Sequence, residues 1–474
     1  MQVNPYIFRG YDLRGIAGKD LTPEIVEHLG RGYGTFLIRH NLGRQAIVAY
    51  DCRLTSEEYK NALIKGITAT GVNVVDIGLT MVGAFYWAQY FLNIRDGAMI
   101  TASHNSSEYN GFKFAVNFSE TMVSEQIQEL RQIVEKEEYV VGEKIGVVEN
   151  RNIQAEYFSD LIKRFGAAKK YKVVVDPGNS TAGAFVPELL RQAGYEVIEK
   201  NCNLDGHFPL GTPDPTEKIV AERLAEEVLE ANADIGFSYD ADGDRIGIVD
   251  EKGGIIWNDV LVAIFAADVL EKHPGATIMY NTLCSKIVED VIKSKGGAPF
   301  MWRTGHSFLK KKNQEIKAAF IGELSGHFFF SEDFYNHDDG CYTTLRLLDY
   351  LSRTGQSLSE AVSKLPKYIS SPEVKLGCAD DLKVALIGKI SQVLKKDFPD
   401  AEVIDDERAG DGVRLNLADG MLVVRYSQNG PYLTIKFEGR TEEKYAELKK
   451  YLGQLLHNYP EINLSEGVNV DALK

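Results

Sequence analysis

The sequence predicts three similar mixed α/β domains followed by a C-terminal α+β domain. Two observations carry that reading. A strand–turn–helix–Gly–strand unit recurs three times, and the pattern changes to strand hairpins between two amphipathic helices after about residue 370. A third, bulk observation agrees: 474 residues is enough chain for about three or four ordinary domains.

The first unit is "AIVAYD" (46–51), a polar turn, the helical "SEEYKNALIKGITATG" (56–71) and "VNVVDI" (72–77). The second is "KVVVD" (172–176), "PGNSTAG", the helical "AFVPELLRQAG" (184–194) and "YEVI". The third is "ATIMYN" (276–281), "TLCSK", "IVEDVIKSKGG" (287–297) and "APFMW". Uninterrupted apolar strands of this kind suit sheets covered on both faces by helices. Their spacing of roughly a hundred residues favours three domains over one large sheet. The last segment runs "PEVKLGC", a helix at 383–398, the strands "GVRLNL", "GMLVVRYSQ" and "YLTIKFEG", then a helix from 442. Boundaries are expected near 150, 253 and 368, giving domains 1–150, 151–252, 253–367 and 368–474.

Hydrophobic residues make up 44% of the chain and charged ones 26%, a composition suited to a folded soluble protein. The net charge of −15 argues against a general nucleic-acid or anionic-membrane binder. A small anionic substrate stays open, because a few Arg and Lys can make one site locally positive. Five scattered Cys without CxxC spacing argue against a disulfide framework or a zinc site and fit a reducing cytoplasm. "MQVNPYIFRG" lacks the basic and apolar regions of a signal peptide, and "VLVAIFAADVL" (260–270) is too short to span a bilayer. A cytoplasmic protein is expected.

Two motifs carry chemistry. "TASHNSSEYNGFK" (101–113) follows an apolar strand and puts Ser103 beside His104. Taken alone it reads as a capped turn, since Ser, Thr and Asn are ordinary turn formers. "DIGFSYDADGDRIGIVDE" (234–251) alternates Asp240, Asp242 and Asp244 with small residues between them. On a regular strand the three carboxylates would share a face; in a loop they can converge on one cation. An oxygen-only donor set favours a hard ion such as Mg²⁺. Ca²⁺ in an EF-hand is excluded, because Arg245 stands where that loop needs Gly and the flanks read as strands. Like charges this close need a cation to coexist in a cleft. A divalent ion, a hydroxyl nucleophile and a phosphorylated substrate form a coherent set.

Six motifs in this order, "FRGYDLRG" (8–15), "TASHNSSEYNGFK", "DADGDR" (240–245), "TGHSFLKKK" (304–312), "GELSGH" (322–327) and "RYSQNGP" (425–431), resemble those of the α-D-phosphohexomutase family. Within it they resemble the phosphomannomutase/phosphoglucomutase branch, over nearly the whole chain. The resemblance implies four domains around a central active-site cleft. It implies a phosphoserine at Ser103 that exchanges its phosphoryl group with mannose or glucose phosphates through a hexose 1,6-bisphosphate. Mg²⁺ would be held by Asp240, Asp242, Asp244 and the phosphoserine, and glucose 1,6-bisphosphate would act as activator. Ser103 then needs no adjacent base, which leaves His104 to shape the loop or help proton traffic. Lys113 and Arg14 would lie near the transferring group, with Arg245 on the phosphate being transferred. Tyr11, His306, Glu323, Ser325 and His327 would contact substrate. Arg425, Ser427, Gln428 and Asn429 would bind the phosphate that stays put. The implied partner is a small phosphosugar, with no nucleic acid or membrane, and the chain a monomer or dimer. Alternatives are a phosphoglucosamine mutase, a phosphosugar-binding protein without turnover, and a Mg²⁺-dependent phosphatase.

Three departures from the family pattern stand out. Ser106 replaces the usual Pro and so removes a fixed φ. "SQN" replaces Ser-Asn-Thr in the phosphate turn. "NTLCS" (281–285) lacks a basic residue found near there in some relatives.

Overall fold

Helices Pro23–Arg39 and Ser56–Ala69 each carry glycines where they meet, and that contact organises the first sheet. A Cβ on Gly66 would stand 2.0 Å from the Glu27 carbonyl oxygen, and one on Gly30 would stand 2.3 Å from that of Leu63. The two helices therefore touch backbone to backbone. Below them the strands run in the order Leu13–Ile16, Tyr109–Asn117, Asp96–Ile100, Gln45–Tyr50, Asn73–Leu79, Val148–Asn150. The central strands pair in parallel, whereas Tyr109–Asn117 runs antiparallel to both of its neighbours. Leu29, Tyr33, Phe36, Ile67, Phe112 and Phe114 fill the space between helices and sheet.

This computed structural model describes residues 1–166, 169–428 and 430–474, except the side chain at 466. The chain divides into two compact units: Met1–Pro215 with Arg223–Gly253 and Tyr335–Gln356, and Thr216–Glu222 with Gly254–Phe334 and Ser357–Lys474.

In the first unit a second sheet orders Ile246–Asp250, Ile235–Tyr239, Lys172–Asp176 and Glu196–Glu199. Its first pair is antiparallel and the others parallel. Helix Gly340–Thr354 also belongs to this unit. Its N-cap, Asp339, accepts from the Tyr342 amide at 3.0 Å and at both oxygens from the Tyr157 hydroxyl at 2.8 Å. Burial pushes the Asp339 carboxyl up to about 7.

In the second unit one sheet orders Ala298–Trp302, Thr277–Asn281, Phe320–Gly322 and Phe328–Phe329. Another orders Glu402–Ile404, Gly412–Leu417, Gly420–Tyr426, Tyr432–Gly439, Val374–Gly377 and Asn463–Val468. Helices Lys383–Asp397 and Glu442–His457 bury Leu386, Ile390, Leu448 and Leu452 against the latter, an α+β arrangement as expected. The short strand Glu402–Ile404 and the terminal strand are additions to the elements expected from sequence. All five cysteines are free thiols. Among the described residues no helix is long and apolar enough to cross a membrane.

Candidate active site

The strand Asp96–Ile100 is buried along its whole length and delivers the chain into the loop that carries Ser103. Ser103 sits at φ +47°, in the left-handed region that non-Gly residues seldom enter. Its amide donates to Thr101 Oγ1 at 2.9 Å, which turns the hydroxyl towards the acidic loop. Oγ donates to Asp240 Oδ2 at 2.9 Å and lies 3.2 Å from His104 Nδ1. Ser103 is 1% exposed.

The acidic loop joins two antiparallel strands, Tyr239 pairing with Ile246, and turns at Gly243 with φ +70°. A side chain there would collide with Met81 Cε at 2.4 Å. This is the loop case of the sequence reading, not the strand case. Asp240, Asp242 and Asp244 are buried, with one oxygen of each within 4.8 Å of the others. Lys113, on the neighbouring strand of the first sheet, donates to Asp244 Oδ2 at 2.6 Å and Asp242 Oδ2 at 2.9 Å. Thr101 Oγ1 donates to the same Asp242 oxygen at 3.0 Å. Arg245 donates its amide to Asp240 Oδ1 at 3.1 Å and brings Nε to 3.7 Å from Oδ2.

The electrostatics are those of a cluster short of positive charge. Burial, then Asp242 and Asp244, push the Asp240 carboxyl far above the carboxylate range. Burial works upward on Asp242 too, but Lys113 outweighs it and holds that group low. Lys113 is held well above the lysine range, because the two carboxylates outweigh its desolvation. Asp242 Oδ1 is buried with no hydrogen-bond partner among the described residues. Three converging carboxylates and an unpartnered buried oxygen fit a hard divalent cation.

Arg14 reaches the Ser103 loop from the first strand. It donates to Asp12 Oδ2 at 2.7 Å and to Asn105 Oδ1 at 2.8 Å. Tyr11 is buried and lies near both Arg14 and Arg245. Ser103, His104, Lys113, Arg14, Arg245, Tyr11 and the three aspartates therefore lie in one neighbourhood of the first unit.

The remaining expected residues lie in the second unit. Glu323 is 1% exposed and accepts from the Gly305 amide at 3.1 Å and Asn281 Nδ2 at 3.3 Å. The Glu323 amide bonds the His327 carbonyl at 3.0 Å, closing a turn in which Gly326 takes φ +94°. Ser325 is half-buried on that turn. The His306 and His327 rings stack with centroids 5.2 Å apart. Arg425 does not present its whole fork: Nε donates to Asp411 Oδ1 at 2.7 Å, and Nη2 bonds Asp411 Oδ2. Gln428 Nε2 bonds the same carboxylate at 3.4 Å, and Ser427 is 3% exposed. Asn429 lies outside the described residues.

Three participants escaped the sequence reading. Asn281 holds both Glu323 and the Leu324 amide, the latter at 3.2 Å. Asp411 orients Arg425. Arg53 holds the Ser103 loop by its carbonyls. Each lies in what reads as an ordinary turn or strand end, and its partner is tens of residues away or placed by a hairpin; no local signal marks them.

Comparison with known proteins places these features in one family. Models of the "Phosphoglucomutase/phosphomannomutase, alpha/beta/alpha" domains match in order: domain I over residues 5–140, domain II over 155–254 and domain III over 257–368. The chain is 38% identical over 459 residues to a phosphomannomutase/phosphoglucomutase of Pseudomonas putida, covering 97% of each chain. It is 33% identical over 458 residues to a phosphoglucomutase of Neisseria meningitidis, covering 96% of this chain and 98% of that one. The crystal structure of a phosphoglucomutase/phosphomannomutase family protein from Burkholderia thailandensis superposes with a TM-score of 0.87 at 32% identity, covering 96% and 98% of the two chains. With the family's domains matched in sequence order and relatives aligned from end to end, the chain belongs to the phosphoglucomutase/phosphomannomutase family, the α-D-phosphohexomutases.

Proposed function

We propose that this phosphohexomutase moves a phosphoryl group reversibly between the 1- and 6-positions of mannose and glucose phosphates, with Ser103 carried as a phosphoserine and a hexose 1,6-bisphosphate as intermediate. The observation that carries the reading is the Ser103 hydroxyl, 2.9 Å from Asp240 within a buried cluster of three carboxylates. A free serine hydroxyl is a poor nucleophile unless its setting is built for phosphoryl transfer.

Asp240, Asp242 and Asp244 are the residues that would hold Mg²⁺, together with a phosphoserine oxygen. The ion, when bound, neutralises charge on the phosphoryl oxygens. Lys113 and Arg245 supply fixed positive charge beside the carboxylates, and Arg14 supplies it beside the loop. His104, in contact with Ser103 Oγ, shapes the loop or carries a proton. Tyr11, His306, Glu323, Ser325 and His327 are proposed as substrate contacts, Glu323 and Ser325 accepting and donating to vicinal sugar hydroxyls. Among the described residues Asp411 takes the Nε–Nη2 edge of Arg425, and Nη1 is proposed for the phosphate, with Ser427, Gln428 and Asn429 completing that donor set. The reading includes domains at 1–150, 151–252, 253–367 and 368–474, a cytoplasmic monomer or dimer, and glucose 1,6-bisphosphate as activator.

Phosphorus NMR tests this directly. With Mg²⁺ and a trace of glucose 1,6-bisphosphate, mannose 1-phosphate and glucose 1-phosphate should each yield a 6-phosphate signal. Ser103→Ala should abolish it. Faster turnover of glucosamine 1-phosphate would reassign the sugar, release of free phosphate would indicate a phosphatase, and full activity of Ser103→Ala would sink the phosphoserine.

A further inference from the structure

We infer that Arg53 is the positioning residue of the phosphoryl-transfer loop, holding Ser103 against the acidic cluster from behind without touching the group transferred. The inference rests on the reading of Ser103 given above.

The observation is how the guanidinium is used. Nη2 donates to the carbonyls of Ser103, at 2.6 Å, and Asn105, at 2.5 Å. Nη1 donates to those of Ser106, at 2.8 Å, and Tyr109, at 2.9 Å. All four terminal N–H groups are thus committed to one seven-residue stretch, 103–109. Nε makes an ion-pair contact with Asp51 Oδ2 at 3.3 Å. Asp51 is itself fixed, accepting from Ser56 Oγ at 2.6 Å and the Arg53 amide at 3.1 Å. The ring of Phe208 lies 5.1 Å from the guanidinium carbon. Both Arg53 and Asp51 are almost wholly buried.

Two features of the loop make such a clamp necessary. Residues 103–109 contain neither Pro nor Gly, so nothing covalent restricts the backbone to one course. Ser103 nevertheless occupies the left-handed region, a conformation that persists only when surroundings impose it. Convergence of four carbonyls on one planar cation is such an imposition. A lysine could not reproduce it, because its ammonium offers three donors from a point. Since the four Nη hydrogens are already taken, Arg53 has none to lend a phosphoryl oxygen. Its effect on the reaction passes entirely through where Ser103 stands.

The test compares wild type with Arg53→Lys and Arg53→Met, measuring kcat, KM, melting temperature and inorganic phosphate released per sugar turnover. Misplacing a nucleophile by about 1 Å costs on the order of a hundredfold in rate. We therefore expect kcat to fall by about that factor in Arg53→Lys, while KM for the sugar phosphate stays within about threefold. Phosphate release per turnover should rise about tenfold, as a displaced phosphoserine is partitioned towards water. In that leak the water oxygen bonds to phosphorus, the P–Oγ bond breaks and Ser103 regains a proton from the water. If Arg53→Met does not fold, Asp51→Asn takes its place, keeping the guanidinium but loosening its anchor. The inference is overturned if the folded variants keep kcat within threefold of wild type, or lose it without any rise in phosphate release. Intact-mass detection of phosphate on wild-type Ser103 runs alongside; its absence would instead remove the phosphoserine reading on which the inference rests.

Discussion

Lys113 neutralises two of the carboxylates proposed to hold a divalent cation, and Lys113→Met separates its contribution from the ion's. In the structure Nζ lies 2.6 Å from Asp244 and 2.9 Å from Asp242, with the lysine 2% exposed. At an effective dielectric constant of 20 each contact is worth about 6 kcal/mol of Coulomb energy, before desolvation is subtracted. Desolvating the ammonium offsets much of that, and removing one partner of a buried ion pair costs about 3–5 kcal/mol. With EDTA present, the melting temperature of Lys113→Met should fall by roughly 10 °C. Mg²⁺ should then stabilise the variant more than the wild type, because the ion no longer shares the site with an ammonium. We expect a Mg²⁺ affinity at least about tenfold higher, close to 1.4 kcal/mol. Turnover should drop by about 10²–10⁴-fold at the same time, so that metal binding improves as catalysis is lost. Differential scanning calorimetry across a Mg²⁺ titration, paired with the mutase assay, reads all three. An EDTA melting point within 2 °C of wild type, or a smaller Mg²⁺ shift in the variant, would refute the charge-sharing argument.

Three further outcomes follow from particular contacts. Asp339 has a folded pKa raised to about 7, so its contribution to stability is full below the unfolded carboxyl value and is lost as pH rises through 7. Denaturant titrations at pH 5 and pH 8 should show a loss of about 2.6 kcal/mol that Asp339→Asn largely removes; a variant with the wild-type pH slope would contradict this. Gly66→Ala forces a Cβ onto the Glu27 carbonyl at 2.0 Å and should cost about 1–3 kcal/mol by chemical denaturation, unless the two helices part freely. Arg425→Lys loses the bidentate grip on Asp411 and should raise KM for sugar phosphates by about tenfold or more with a smaller change in kcat; an unchanged KM would remove Arg425 from phosphate binding.

What the chain announces in its own order is the fold and the acidic loop. The strand–turn–helix units at 46, 172 and 276 were legible because apolar runs and Gly stops are local signals. "DADGDR" was legible because three carboxylates at alternate positions have few reasons to coexist. Arg53 was not, because "YDCRLTSEE" reads as a turn before a helix, and its purpose depends on carbonyls some fifty residues later. Asp411 and Asn281 were hidden in the same way. Asp411 bonds the Arg425 guanidinium, and Asn281 bonds the Glu323 carboxylate and the Leu324 amide, so neither residue's type nor spacing carries a chemical signature. The fork of Arg425 shows the converse: the residue was legible, but its occupied edge was visible only with Asp411 in place.

Helix Gly340–Thr354 packs in a unit whose sequence otherwise ends at residue 253, and this has a consequence for biosynthesis. A growing chain at Pro215 has most of that unit but not its last helix. At about 5–20 residues per second, roughly seven to thirty seconds pass before Gln356 is made. For that interval Tyr157 has no Asp339 to donate to, and the buried face of the aromatic helix Val82–Leu92 lacks the Asp339 contact at Gly83. Tyr86 and Tyr90 of that helix likewise lack the His337 and Tyr335 rings that pack on them in the finished unit, which leaves an aromatic face for a chaperone to cover in the interim.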